Sequence, residues 1–505
     1  MTGTLVERFK QANPTLIALL SGALLPLAFA PYDFPVMAIV SLLCFLFVLK
    51  SLIPLQAAKA GYAFGWGYFG HGVYWVYFSI HHFGHAPLWL AVIIMLGMVA
   101  ILALYMSLFA FLLNRYFQER TMVRYLVALP TLWLALEALR GVLFTGFPWL
   151  SLGFSQMDTG LSGWAPVLGV LGVSWFVVLT VGGVMCLLLC TEMKNKVLAS
   201  VLVLASWVVG LGLQDVTWVE PAGEPIEVAL LQGNIPQEIK WLRAFRQINI
   251  DIYMHMTRQQ RDVDLIVWPE TAIPAFYHVV QNSLMPTLKR EAEAFQSDIV
   301  LGLPVMPEGT GDYYNGLYSV RQSNDFYLKR HLVPLGEYLP LKPLSTIILD
   351  FMQIPMSDFT AGNDNQRLLQ GAGYLFASSI CYEDVFQQTS IYGLPEAAYL
   401  INVSNDTWFG DTIAPYQHLQ MARMRALESG RFLLRSTNTG LTAIVDQQGK
   451  IVKQAPMFKR FALTGEITPL QGSTPFVRGG WWLIFVLITG MLVVSLLKRD
   501  RRVER

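Results

Sequence analysis

Charge is scarce in this sequence: Asp, Glu, Lys and Arg make up 14% of its 505 residues, against about 25% in soluble domains. That excludes a wholly soluble chain. Its 36 basic and 35 acidic residues nearly cancel, for a net charge of +1, and no long basic stripe breaks the balance, so no nucleic-acid partner is expected. Cysteine is rare too. Of four, Cys44, Cys186 and Cys190 lie inside strongly apolar runs, where a thiol behaves as a small hydrophobe. Only Cys381 falls in the polar part of the chain, which excludes a disulfide framework there. Internal repeats and low-complexity segments are absent. What is abundant is apolar: 54% of residues are hydrophobic, as expected of a membrane protein with a sizeable soluble part.

Long apolar segments fill residues 1–215 and then stop. Spans are expected near 14–31, 35–50, 57–80, 88–114, 124–140, 164–190 and 196–213, with an eighth, "WWLIFVLITGMLVVSLL", at 481–497. About 20 apolar residues cross the hydrocarbon core, so the second and fifth are short. The first is not read as a cleavable signal, because it has no small-residue cleavage site and further spans follow. With the N-terminus in the cytoplasm, the inner segments hold Arg8, Lys10, Lys50, Lys59, Arg115, Arg120, Arg124, Lys194 and Lys196. The tail adds Lys498, Arg499, Arg501, Arg502 and Arg505, and only Arg140 sits at an outer end. A bias of fourteen to one sets the orientation and puts the segment between spans seven and eight outside the cytoplasm. The expected domains are 1–215 with seven spans, 216–478 outside the cytoplasm, and 479–505 with the eighth span and a basic cytoplasmic tail.

The segment 216–478 has another texture. "IEVALLQ" (226–232), "DLIVWPE" (264–270), "DIVLGL" (298–303), "YLFASSI" (374–380) and "AAYLINVS" (397–404) are short, β-branched apolar runs of the kind that form buried strands. Helices are expected at 238–259, 283–296 and 415–430, the last opening on Pro415 and ending at Gly430. This alternation implies an α/β domain built on packed sheets.

Cys381 closes one of those strand-like runs and is followed at once by Tyr382, Glu383 and Asp384. A thiol beside two carboxylates is a poor nucleophile, because nearby negative charge disfavours the thiolate. It can react if the carboxylates point elsewhere and a cation stands near. Glu270 lies just past a strand in "VWPE", where Pro269 stops the ladder; Lys329 and Glu337 lie in "YLKRHLVPLGEYLP", stiffened by Pro334 and Pro340. A carboxylate to take the thiol proton, a lysine to favour the thiolate and meet the oxyanion, and a cysteine are sufficient for covalent catalysis.

Together "VWPE", "KRHLVPLGEYLP" and "ICYED" resemble the Glu–Lys–Cys triad of the nitrilase superfamily, which implies an αββα sandwich. Eight spans around such a domain, with "LLQGNIPQEIKW" at its start and "NVSNDTWFGD" after the cysteine, are similar to the apolipoprotein N-acyltransferases. The resemblance implies a bacterial inner-membrane enzyme, facing the periplasm, that moves an acyl chain from a phospholipid donor through a cysteine thioester to the α-amine of a diacylglyceryl-cysteine apolipoprotein. It implies Glu270 as general base, Lys329 as oxyanion and charge stabiliser, and Cys381 as nucleophile, with the Tyr382 N–H as a second oxyanion donor. Glu337 would orient the lysine, Glu383 would act near the thiol, and Trp241, Tyr382 and Trp408 would line the substrate cleft. The expected partners are the phospholipid, the lipoprotein and the bilayer; the chain is expected to be a monomer with no metal or other cofactor.

Other residues take blander readings. His331 is tempting as a base, but beside Lys329 a structural role is favoured. Glu137 and Arg140, at i and i+3 in an apolar run, are expected to pair, with lipid head-group binding as the functional alternative. His81, His82 and His85 lack a carboxylate or cysteine partner in their loop and read as interfacial. Two other functions stay open: a membrane-tethered nitrilase-type amidase using the same triad with water, and a transporter or inactive scaffold. Few intramembrane charges and an intact triad argue against the last.

Overall fold

The computed structural model describes residues 13–118, 121–321, 325–334, 336–338, 358–479, 482–486 and 488–490. Arg8, Lys10, Arg120, Pro340, Lys498, Arg499, Arg501, Arg502 and Arg505 lie outside them, as does much of the expected eighth span; its residues 482–486 and 488–490 are helical. The chain divides into two compact units. One comprises Met1–Tyr74, Val92–Val216 and Gly479–Arg505, the other Trp75–Ala91 and Thr217–Arg478.

The first unit is helical: α1 Pro14–Leu24, α2 Val36–Leu49, α3 Pro54–Gly72, α4 Leu88–Tyr116, α5 Leu129–Arg140, α6 Ala165–Leu189 and α7 Met193–Gln214. Among the described residues three helical stretches are long and apolar enough to cross a membrane: Leu88–Tyr116, Gly160–Leu189 and Met193–Gln214. In the run expected to span 57–80 the helix breaks after Gly72 and resumes only as a short stretch from Val76 to Phe83, and the residues from Trp75 belong to the other unit. Small residues bring these helices close, as membrane packing favours. A Cβ on Gly22 of α1 would lie 2.0 Å from the Phe64 carbonyl oxygen of α3, and one on Gly67 equally close to that of Leu19.

Glu137 and Arg140 are both buried, but among the described residues no ion pair joins them, which corrects the sequence expectation. The chain after α5 folds back and supplies each with partners better aimed than an i, i+3 neighbour. Glu137 accepts from Trp133 Nε1 (2.8 Å), the Leu152 N–H (3.2 Å) and the Ser174 hydroxyl. Arg140 donates to the carbonyls of Phe147 (2.8 Å) and Trp149 (2.5 Å).

The second unit is built on two six-stranded sheets. In order, the first holds β13 (Phe461–Ile467), β2 (Ile226–Gln232), β3 (Leu265–Val267), β4 (Asp298–Val305), β5 (Tyr314–Ser319) and β6 (Phe326–Leu328). The other holds β12 (Ile451–Gln454), β11 (Ala443–Val445), β10 (Leu433–Thr437), β9 (Tyr399–Ser404), β8 (Tyr374–Ile380) and β7 (Leu369–Gly371). In each sheet three central strands are parallel, β2–β3–β4 and β8–β9–β10, and the flanking strands antiparallel. A pair, β1 (Val219–Pro221) with β14 (Leu470–Gly472), completes the strands.

Side chains alternate across the sheets as the pleat requires. Val228 and Leu230 of β2 meet Ile401 and Val403 of β9 in a core between the sheets. Ala229 and Leu231 face outward onto α9 (Arg246–Arg258) and α10 (Leu284–Phe295). The other sheet's outer face is covered by α11 (Ala414–Ser429), which ends at left-handed Gly430, φ +66°. The layering is αββα. The helix expected over 238–259 is two: α8 (Gln237–Lys240) stops at Trp241, and α9 starts five residues later.

Candidate active site

The three residues read from sequence as a triad leave three different strands. Cys381 follows β8 directly, Lys329 follows β6 directly, and Glu270 stands just past β3. Cys381 adopts φ +54°, a conformation uncommon outside glycine, and opens a tight turn over Cys381–Val385. The turn swings its side chain out of the strand's pleat.

The two carboxylates that follow are turned to other work. Glu383 is fully buried and accepts from the Ile380 N–H (2.7 Å), the Arg330 N–H (2.7 Å), the His331 N–H (3.1 Å) and Tyr327 O–H (2.9 Å). It thereby ties the segment after β6 to the cysteine turn. Asp384 lies 2.8 Å from His418 Nε2 and 2.8 Å from Arg435 Nη1. These side chains, with Asp406, form a buried cluster under the turn: Arg435 Nη2 lies 3.0 Å from Asp406 Oδ2 and 2.8 Å from His418 Nδ1, and His418 Nδ1 lies 3.1 Å from Asp406 Oδ1. The His418 ring also touches the Cys381 carbonyl at 3.3 Å.

Lys329 is 1% exposed. Its ammonium is 2.8 Å from Glu337 Oε1 and 3.9 Å from Glu270 Oε1. Burial opposes its charge, but Glu337 and then Glu270 outweigh burial, so its pKa goes up and it stays protonated. Asn315 donates to Glu270 Oε1 at 2.7 Å, and Glu337 Oε2 accepts the Val333 N–H at 2.9 Å. Burial raises the pKa of Glu270 against the pull of Lys329, the direction that makes a carboxylate a useful base near neutrality. Cys381 keeps part of its surface accessible. Desolvation, then the Glu270 charge, push its thiol up, while Lys329 pulls it down. At rest the sulfur is a thiol whose reactivity depends on a base taking its proton.

Of the remaining predicted residues, Tyr382 is buried with its ring 5.1 Å from Phe386. His331 lies against Phe386 with ring centroids 3.7 Å apart and ring planes tilted by 33°. Trp241 is half-buried at the break after α8. Half-buried Trp408 lies 5.7 Å from Phe83, and its carbonyl accepts from Ser79 Oγ at 2.7 Å. Ser79 begins the turn Ser79–Phe83 that carries His81 and His82. This loop, expected at a membrane interface, thus packs on the Trp408 segment within the sandwich unit.

Sequence reading missed Lys240, Asn315, Asp406, His418 and Arg435. Lys240 adjoins a residue that was singled out, and its single lysine in a polar turn carried no distinguishing mark. The others converge from β5, the turn after β9, α11 and β10, and no local pattern links them.

A thiol, a carboxylate and an ammonium so arranged can form and break an acyl–sulfur bond. The description "Carbon-nitrogen hydrolase" matches residues 227–474, and "Apolipoprotein N-acyltransferase N-terminal domain" matches residues 21–183. The apolipoprotein N-acyltransferase of Methylococcus capsulatus is 45% identical over 489 residues, 96% of each chain. That of Pseudomonas syringae pv. tomato is 41% identical over 95% of this chain and 96% of its own, and that of Coxiella burnetii 39% over 94% and 99%. Among solved structures, Nit3 of Saccharomyces cerevisiae is 18% identical and covers 53% of this chain and 96% of its own, with a TM-score of 0.37. Since the likeness to the first three runs from end to end and takes in both halves, the chain belongs to the apolipoprotein N-acyltransferase family.

Proposed function

We propose that the chain N-acylates lipoproteins by a ping-pong reaction through Cys381. Glu270 takes the Sγ proton, and the thiolate attacks the carbonyl carbon of a phospholipid ester. The oxyanion is met by the Lys329 ammonium and the Tyr382 N–H. Collapse expels the lysophospholipid alkoxide, which recovers the proton from Glu270 and leaves a thioester. The free α-amine of the diacylglyceryl-cysteine acceptor then attacks. The C–S bond breaks, an amide forms, and the amine's proton returns by way of Glu270 to the sulfur. An α-amino group has a pKa of about 8, so a fraction is already neutral and the base has little to do. A thioester is activated enough to acylate the amine without ATP.

Glu337 holds Lys329 in place, Glu383 binds the cysteine turn to the lysine segment, and Trp241, Tyr382 and Trp408 line the cleft. Each buried CH₂ contributes about 0.8 kcal/mol, so both substrates stay in the bilayer and the chain works there as a monomer. The basic residues favour eight spans in a bacterial inner membrane, with 1–215 and 479–505 embedded and 216–478 in the periplasm.

The observation that carries this reading is the buried Lys329 ammonium set between Glu337 and Glu270, with the charges of Lys329 and Glu270 both acting on the Cys381 thiol. Incubating the purified full chain with phospholipid labelled in its acyl chain leaves label on the Cys381 peptide, seen by mass spectrometry, and Cys381→Ser abolishes it. Label that survives the substitution, or turnover of a small amide with no labelling, overturns the reading.

A further inference from the structure

Lys240 is 2% exposed, and a buried ammonium is costly unless something compensates it. Its Nζ donates to the carbonyl of Glu270 (3.2 Å) and to the hydroxyl of Thr271 (2.7 Å). Both partners are neutral, and among the described residues no carboxylate lies within 4.0 Å of it. An ammonium has three N–H donors, and two are used. The side chain is anchored at its root as well, since Asn249 Nδ2 donates to the Lys240 carbonyl at 3.1 Å. The turn it grips is strained, with Thr271 at φ +44°. A lysine that only filled space would be better replaced by a hydrocarbon. This one instead aims its charge at the backbone of the residue that must act as base.

We infer that Lys240 is a positioning residue for Glu270: its ammonium fixes the Glu270–Thr271 turn and, as a second cation behind Lys329, biases Glu270 toward the carboxylate that accepts the thiol proton. This rests on the assignment of Glu270 as base. The charged and titratable groups facing the pair are Cys381, Lys329 and Glu337, with Asn315 as a neutral donor. Burial brings the Lys240 pKa down to about 8, against the opposing pull of Glu270 and Cys381. Its influence therefore holds at neutral pH and fades above that value.

The test is the alkylation rate of Cys381 by iodoacetamide in the purified full chain, read on the Cys381 peptide from roughly pH 5 to roughly pH 9. In Lys240→Met the acid limb moves to higher pH by about one unit, a loss of about tenfold on that limb. The rates converge with the parent at the alkaline end, where Lys240 is neutral anyway. Lys240→Arg keeps the parent limb. If Lys240→Met fails to fold, Lys240→Gln, which still donates to both partners but carries no charge, must show the same shift. A loss by one constant factor at every pH, or no change, overturns the inference. Glu270→Gln separates the two ideas. It removes the acid limb if Glu270 is the base, whatever Lys240 does, and an acid limb that survives it sinks the assignment of the base itself.

Discussion

Under the cysteine turn, two buried carboxylates, Asp384 and Asp406, face one guanidinium, Arg435, and the cluster reaches neutrality only if His418 is protonated. Burial and Arg435 push the His418 pKa down, but Asp384 and Asp406 push harder, and it ends above its ordinary value. A basic group whose pKa is raised on folding contributes stability that is fully present below its unfolded pKa and is lost as pH rises through the folded one. For histidine the loss begins near pH 6.5. The melting temperature of the detergent-purified parent should therefore fall as the pH rises above about 6.5. His418→Gln, which strips a partner from buried carboxylates at roughly 3 kcal/mol, should melt lower at the acid end and lose most of that slope. An equal slope in both chains would assign the pH dependence elsewhere. The three residues read as a triad were picked out in the sequence because Glu270 and Cys381 each follow a short apolar run with an abrupt polar residue and Lys329 lies in a stretch stiffened by prolines. His418 and Arg435 were not, since one lies mid-helix and the other mid-strand, where a charge reads as a solvent-facing residue until the fold buries it.

Strands were legible where an apolar run is long and unbroken, not wherever they are buried: β10, "LLRST", and the three-residue β11 are buried throughout and were not read. β2 and β8, apolar along nearly their whole length, were read at their observed limits, whereas β13 runs "FALTGEI" with alternating exposure and β6 has three residues, too few for a pattern to declare itself. The helix read over 238–259 is divided in the structure because Leu242 turns to an extended conformation, ψ 126°. Among the apolar helices, spacing shows that a segment is buried but not how near its neighbour comes. At the α1–α3 contact that distance is set by glycine. A methyl group on Gly22 would overlap the Phe64 carbonyl, and backbone cannot move aside as a flexible side chain can. Gly22→Ala should cost about 1–3 kcal/mol through overpacking, seen as a lower melting temperature in detergent. Gly70→Ala, on the same α3 but with nothing within 4 Å of the added carbon, should be neutral or gain up to about 1 kcal/mol from helix propensity. Equal losses at both sites would mean that the close approach of α1 and α3 contributes nothing.

For the whole chain, composition separated an apolar first part from an α/β second part, but residues 75–91 escaped it. Their sequence, "WVYFSIHHFGHAPLWLA", is apolar enough to pass for the end of one span and the start of the next. The structure instead sets Trp75 against Phe409 at 5.0 Å between ring centroids and Phe83 against Trp408, so aromatic side chains that suit lipid are used here for packing on protein. Hydropathy measures transfer from water and cannot tell those two destinations apart. Orientation rests on different physics, the bias of lysine and arginine toward the cytoplasmic side, and it can be tested without reference to packing. In intact spheroplasts a membrane-impermeant maleimide should label Cys381, whose surface is partly accessible. A cysteine placed at exposed Arg115, near the end of α4, should stay unlabelled until the membrane is permeabilised. The opposite pattern would turn the chain over and leave the thiol on the wrong side of the bilayer for a lipoprotein amine displayed in the periplasm, whatever the triad could do chemically.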